Sequence, residues 1–159
     1  MPQPFLQTTR LDLVPSPTST SSSRWSLGMW VGFLRESDGT PHERFVGLWM
    51  LTPPHGPSQA RIAGEADLGY RVARRCWRQG YASEGSRELL RHGFEVVGLT
   101  RIFAQTMAVN AGSRATMSSL GMEFVRGFHE HHDPIPGSEQ GEVEYELRRE
   151  DWDRRPPAG

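Results

Sequence analysis

Two carboxylates, Glu65 and Asp67, stand two residues apart just upstream of a run of arginines, and that run ends at Gly80, immediately before a segment of helical periodicity. Each part of this arrangement has a chemical use. The rough alternation of polar and apolar residues over Ala63–Val72 predicts a strand, which puts Glu65 and Asp67 on one face. A carboxylate there could serve as a general base, although the same face could equally be solvated. Backbone N–H groups at a helix start lack intrahelical partners and carry the positive end of the helix dipole. A glycine at that point lets an anion approach the backbone closely, so strand, turn, Gly80 and helix describe a phosphate cradle. Arg78, with Arg74 or Arg75, adds charge-assisted contacts. Downstream, Ser113 could act as an acid or simply hydrogen-bond a helix start, and Tyr145 could donate a proton or pack within a closing strand.

Two other groupings carry less. Cys76 lies among arginines that could lower its pKa, yet no motif pairs it with a histidine, and a partly buried or incidental thiol is expected. His129-Glu130-His131-His132-Asp133 holds metal-type side chains without a second spaced cluster, and reads as a surface loop with no metal.

The elements that must position these residues follow from periodicity and turn chemistry. Leu11–Val14 reads as a short strand, Pro15–Ser23 as a low-complexity loop, and Leu27–Arg35 and Phe45–Leu51 as strands about an Asp38-Gly39 hairpin signal. Ala82–Val97 predicts a helix ending at Gly98 in a left-handed cap. Arg101–Met107 predicts a strand, and Asn110–Leu120 a second helix opened by an asparagine cap and closed by Gly121. Met122–Phe128 and Val143–Arg149 read as closing strands around a loop with Pro134, Pro136 and Gly137. The order β-β-β-β-α-β-α-β-β points to an α/β domain with a mixed sheet and no internal repeat.

The 159 residues suit a single domain, with 18 arginines, no lysine and a formal charge of −1. That neutrality hides an asymmetry. Residues 71–91 carry six arginines against Glu84 and Glu88, whereas residues 123–153 carry ten acids against Arg126, Arg148 and Arg149. The acidic tail could attract a cationic amine. The single cysteine excludes an internal disulfide framework and fits a reducing compartment. No apolar run approaches the roughly 20 residues that span a bilayer, and Met1-Pro2-Gln3-Pro4-Phe5 shows no secretory signal, so a cytoplasmic protein is expected. Without an aromatic–basic motif, nucleic acid is not an expected partner.

The segment Asp67–Glu84, together with Gly98-Leu99-Thr100-Arg101-Ile102, Asn110-Ala111-Gly112-Ser113-Arg114 and Leu120-Gly121-Met122-Glu123-Phe124, resembles the GNAT superfamily, and within it the RimJ/RimL-type N-acetyltransferases. The likeness is strong from about Ala63 to Phe128. It weakens towards Glu144-Tyr145-Glu146-Leu147 and back to Thr9-Arg10-Leu11-Asp12-Leu13. The superfamily's phosphate loop is usually Gln/Arg-x-x-Gly-x-Gly/Ala; Gly80-Tyr81-Ala82 match, and Trp77 takes the first position, as is common in the RimJ/RimL-type branch. The resemblance implies a GNAT-like, mostly antiparallel sheet flanked by helices and acetyl-CoA as cosubstrate. Backbone groups of Tyr70, Arg71 and Val72 would then pair with the pantetheine arm. The amides of Arg78, Gln79, Gly80, Tyr81, Ala82 and Ser83 would hold the pyrophosphate. Asn110 would contact the pantetheine or acetyl end, and Ser113 would lie near the sulfur.

The implied reaction is direct acetyl transfer to a primary amine of a peptide N-terminus or small molecule, with Glu65 or Asp67 as base and Ser113 as acid. In one respect the chain departs from the family. RimJ/RimL-type proteins place two helices between the first two strands, where here only residues 15–26 are available, too rich in Pro, Ser and Thr for a helix pair. An open acceptor site, a site completed by a second subunit, or a catalytically weak coenzyme A-binding module would each follow, and the exposed core area favours a homodimer. Residues 154–159 are expected to form a disordered tail.

Overall fold

Alternation of buried and half-buried side chains runs through the strands around Trp30, Trp49 and Leu68 and sets their register. A computed structural model describes residues 5–16, 27–35, 44–130 and 135–156. Its strands are β1 (Leu6–Gln7), β2 (Leu11–Pro15), β3 (Gly28–Leu34), β4 (Phe45–Thr52), β5 (Glu65–Val72), β6 (Arg101–Met107), β7 (Glu123–Phe128) and β8 (Glu142–Arg148). They form one sheet in the order β1-β2-β3-β4-β5-β6-β8-β7. Every neighbouring pair is antiparallel except β5 and β6. A parallel pair needs a crossover, and the helix α1 (Tyr81–Arg91) supplies it.

α1 buries Tyr81, Gly85, Ser86, Leu89 and Leu90, a stripe of helical spacing, against the face of β4 and β5 that carries Trp49, Ala66 and Leu68. Trp49 fixes how closely they approach. Its indole is fully buried and donates to the Ala82 carbonyl at 3.3 Å. The regular helix expected as far as Val97 instead changes pitch at His92 into a π-helical turn, His92–Val97. The expected left-handed cap at Gly98 is present, with φ +84°. A second helix, α2 (Ala111–Ser119), opens on Asn110, whose side chain accepts the Ser113 N–H at 3.0 Å.

Two elements were not legible in advance: β1, only two residues long, and α3 (Arg149–Asp153), which begins where the last strand was expected to continue. Beyond α3, Arg155 lies over Trp152, 4.9 Å from the ring centroid, and donates to the Leu120 carbonyl. Residues 17–26, where the family's helix pair would fall, lie outside the described residues, as do the Asp38-Gly39 turn and residues 157–159. No helix among the described residues is long and apolar enough to cross a membrane.

Candidate functional site

The parallel pair provides the site's framework because it comes apart. β5 and β6 share only Glu65↔Arg101, Ala66↔Ile102 and Asp67↔Phe103. Beyond that point β5 stays paired to β4 as far as Val72, and β6 to β8 as far as Met107, leaving an opening between the two strands. The Ala73 N–H donates to the Val46 carbonyl at 2.8 Å, which sets the phase of β5. Alternation then aims the backbone groups of Tyr70 and Val72 into the opening, whereas Arg71 is registered with Leu48 of β4. Of the three residues expected to present backbone to a ligand, Tyr70 and Val72 thus face the opening and Arg71 faces β4. The Val72 carbonyl accepts from the Trp77 indole at 2.8 Å, and the Trp77 side chain stays exposed.

At the wide end of the opening stands the start of α1. Gly80 is its N-cap, with φ +83° and no side-chain cap, so the first-turn amides of Tyr81, Ala82 and Ser83 are left to other acceptors. Arg78, at φ +60°, is the one non-glycine with positive φ among the described residues, a conformation that costs roughly 1–2 kcal/mol. Arg71, Arg74, Arg75 and Arg78 are all exposed. None of them forms an ion pair with a carboxylate of the described residues, in contrast to Arg10, Arg91, Arg101 and Arg126. Gln79 only donates to the Arg75 carbonyl, at 3.1 Å.

Sequence reasoning missed Arg10. It reaches from the turn between β1 and β2, lies 4.3 Å from the Tyr81 ring centroid and pairs with Glu84 at 2.7 Å. A β-carbon at Gly80 would come within 3.3 Å of its Nη2. Burial favours a protonated Glu84, but bonds from Thr8 Oγ1, the Arg10 guanidinium and the Arg10 N–H outweigh it and hold the carboxyl below its ordinary range. The available signal was the basic residue of the Thr9-Arg10-Leu11 stretch, which spacing alone ties to nothing.

On the sheet face away from α1, Glu65 and Asp67 do share a side, as alternation predicts, while Ala66 and Leu68 point into the core. Their fates differ. Glu65 pairs with Arg101 at 3.0 Å, and Arg101 also binds Glu144, at 2.8 Å, and Glu146. Burial depresses the Arg101 guanidinium, but its bonds to Glu146, Glu144 and Glu65 prevail and raise it. Asp67 has no such partner. Burial pushes its carboxyl above the ordinary range, against a hydrogen bond from Gln59 and the nearby charge of His55. Beside the pair lies a cavity of about 430 Å³ lined by Ser58, Gln59, Glu65, Arg101, Arg126 and Glu144 among others.

Ser113, on the first turn of α2, lies on the helix side of the sheet. Its hydroxyl is 3.0 Å from the Tyr70 phenol, so this pair spans from β5 to α2. Burial raises the Tyr70 phenol, against bonds to Ser113 and Thr116. Asn110 is engaged as the helix cap. Tyr145 is buried, edge-on to Phe124 and bonded by Arg114 Nε at 3.2 Å, which makes it a packed aromatic of β8. Cys76 is buried, and His131–Asp133 lie outside the described residues. The site thus combines a splayed parallel pair, an uncapped glycine-led helix, arginines that pair with no carboxylate of the described residues, and a buried carboxylate where the strands separate.

Known proteins share this fold. The model of the acetyltransferase (GNAT) domain matches residues 10–123, and the chain belongs to the GNAT acetyltransferase family. It is 36% identical over 154 residues to an FsC-acetyl coenzyme A-N(2)-transacetylase of Aspergillus fumigatus, a match that covers 94% of this chain and 62% of that one. The chain thus spans less than two thirds of that relative's length. A GNAT-family acetyltransferase of Bacillus anthracis superposes with a TM-score of 0.66 at 18% identity, covering 92% of this chain and 99% of the other. A GCN5-related N-acetyltransferase of Brucella melitensis does so with a TM-score of 0.70 at 13% identity, covering 96% and 82%.

Proposed function

We propose that the protein is an acetyl-CoA-dependent N-acetyltransferase that acts on the primary amine of a small molecule. The observation that carries the reading is the opening between β5 and β6, which runs from the uncapped start of α1 to the raised carboxyl of Asp67. The residues present fit the cosubstrate. The amides from Gly80 to Ser83, with Arg74 and Arg78, which pair with no carboxylate of the described residues, would hold its phosphates. The backbone of Tyr70 and Val72 would pair with its amide-bearing arm, and Ser113 and Tyr70 would stand near the sulfur. When bound, acetyl-CoA supplies an acyl carbon whose bond to sulfur breaks as its bond to the amine nitrogen forms. Asp67 takes the proton that the amine must lose, and its raised pKa brings it nearer to the pH at which a base is most useful. Glu65, neutralised by Arg101, serves to hold that network rather than to accept a proton. The Ser113 hydroxyl would act as the acid towards the leaving thiolate by relaying a proton from the Tyr70 phenol, 3.0 Å away.

A small-molecule acceptor is preferred to a peptide N-terminus because the 36%-identical relative is named for transfer to an N(2) position. The reading includes the RimJ/RimL-type branch, supported by Trp77 at the first loop position, and a cytoplasmic setting, supported by the lone thiol. It also includes a homodimer, supported by half-exposed Met29, Val31, Leu48 and Met50 on the sheet face away from α1.

The test is titration of acetyl-CoA followed by thiol-release assays against polyamines, amino acids and peptides. Turnover is expected, and Asp67→Asn is expected to lower kcat by about 10²–10⁴-fold, the usual share of a general base, with cofactor affinity unchanged. Tight acetyl-CoA binding without acetylation of any amine would leave the coenzyme A-binding module as the better reading.

A further inference from the structure

Gln59 lies on the segment between β4 and β5, outside every motif of the phosphate loop, and its side-chain amide is in use at both ends. Oε1 accepts from the His55 N–H at 2.9 Å and the Gly56 N–H at 3.3 Å, closing the turn at 53–59. Nε2 donates to Asp67 Oδ2 at 2.9 Å and to Gln105 Oε1 at 3.1 Å. Asp67 is the last residue of β5 paired to β6, and Gln105 stands two residues past the last paired position of β6. The Gln59 amide therefore bridges the two strands where they separate. The chain of bonds continues: Gln105 Nε2 donates to Glu144 Oε1 at 2.7 Å, and Glu144 is held by Arg101.

We infer that Gln59 is a positioning residue for acetyl transfer, holding the Asp67 carboxylate at the narrow end of the opening and fastening the 53–59 turn beside the acceptor cavity. The inference rests on the reading of Asp67 as the base. With Oδ2 engaged by Gln59, the other oxygen, Oδ1, is the one left to receive the amine's proton; no hydrogen bond reaches it from the described residues. The chemistry demands an amide. The turn offers two N–H donors and needs an acceptor, while Asp67 is itself an acceptor and needs a donor. A glutamate would satisfy the turn but oppose Asp67 with like charge, and a methionine of similar length would satisfy neither. The charged groups that bear on Asp67 are His55 from the turn and Glu144 from β8, with Arg101 and Glu65 behind Glu144; the facing residue of β4, Thr52, is uncharged.

Gln59→Glu separates positioning from scaffolding because it preserves the bonds to the turn. It is compared with Gln59→Met and Asp67→Asn by acetyl-CoA titration, kinetics with spermidine, ornithine and a tripeptide as probe amines, and carbon NMR titration of the Asp67 carboxyl. In both Gln59 variants the Asp67 titration and the acidic limb of kcat should move up by about one pH unit, since a bond that favours the charged form is lost. A roughly tenfold lower kcat should accompany the shift, with acetyl-CoA affinity unchanged. An unshifted Asp67 titration in both variants overturns the inference even where Asp67→Asn is inactive. Full activity of Asp67→Asn overturns the base assignment and this inference with it.

Discussion

Gly85→Ala tests whether the position of α1, and with it the phosphate end of the site, depends on one close approach. A β-carbon built at Gly85 falls 2.3 Å from Trp49 Cε2 and 2.4 Å from its Nε1. The indole cannot retreat, because a β-carbon at Gly32 on its other side would lie 2.3 Å from Cζ3, so the ring already rests against both glycine backbones. Either α1 lifts by about an ångström or the ring turns and gives up its bond to the Ala82 carbonyl. Overpacking of this kind costs about 1–3 kcal/mol, and alanine's better helix propensity recovers at most about 1 kcal/mol. A net loss of about 1–2 kcal/mol corresponds to a fall in Tm of roughly 2–8 °C for a chain of this size. Acetyl-CoA affinity should fall as well, since the amides of Tyr81 to Ser83 move with the helix. The informative assay is a thermal and urea double-mutant cycle with Trp49→Phe, a smaller ring without the indole nitrogen. In that background Gly85→Ala should be neutral or stabilising. Equal costs in both backgrounds, or a Gly85→Ala variant as stable as the parent, would refute the argument.

Two further outcomes are expected. Gly80→Glu should weaken acetyl-CoA binding by at least about tenfold, because it forces a side chain into a left-handed position and sets a negative charge at the start of α1; unchanged affinity in a titration would remove the phosphate-loop assignment. Glu84 has a folded-state pKa below its unfolded one, so its contribution, about 1 kcal/mol for a partly exposed network, is complete above the ordinary carboxylate range. It is lost as pH falls through the depressed folded value. Denaturation followed from neutral to acid pH should show that loss in the parent and not in Glu84→Gln.

The sequence made the cofactor side more legible than the acceptor side, for a physical reason. A cradle of backbone amides is specified locally: Gly80, the start of α1 and Asn110 are read from neighbours one turn away, and they stand where spacing put them. Glu65 and Asp67 were legible as a pair sharing a face, but not as unequals. What distinguishes them is Arg101, 36 residues from Glu65, and Gln59, reaching Asp67 from a segment with no periodicity. Arg10 acts on a helix 74 residues away. The change of pitch at His92 and the start of α3 at Arg149 depend on tertiary packing, Phe94 against Trp152 with Arg149 bonded to the Phe94 carbonyl, that no local propensity encodes.

The charge asymmetry takes on a different meaning once the ion pairs are known. Four of the ten acids of the C-terminal stretch are already engaged: Glu144 and Glu146 are bound by Arg101, Arg126 and Arg148, Asp153 by Arg149 and Asp151 by Arg154. The arginines at the start of α1 do the opposite and stand apart from the described carboxylates. Mutual repulsion among them is unfavourable in the free protein and is relieved by an anion, so their differential stabilisation of the bound state is larger than that of pre-paired arginines would be. Five carboxylates, Glu65, Asp67, Glu142, Glu144 and Glu146, stand on that face of β5 and β8, and among the described residues no arginine pairs with Asp67, which has the bond from Gln59 and the nearby charge of His55. Glu142 forms an interaction of its own, and arginines hold the remaining three. Among the described residues the arginines ahead of α1 and the Asp67 carboxyl therefore stand outside the arginine–carboxylate pairs that hold the rest of the sheet together.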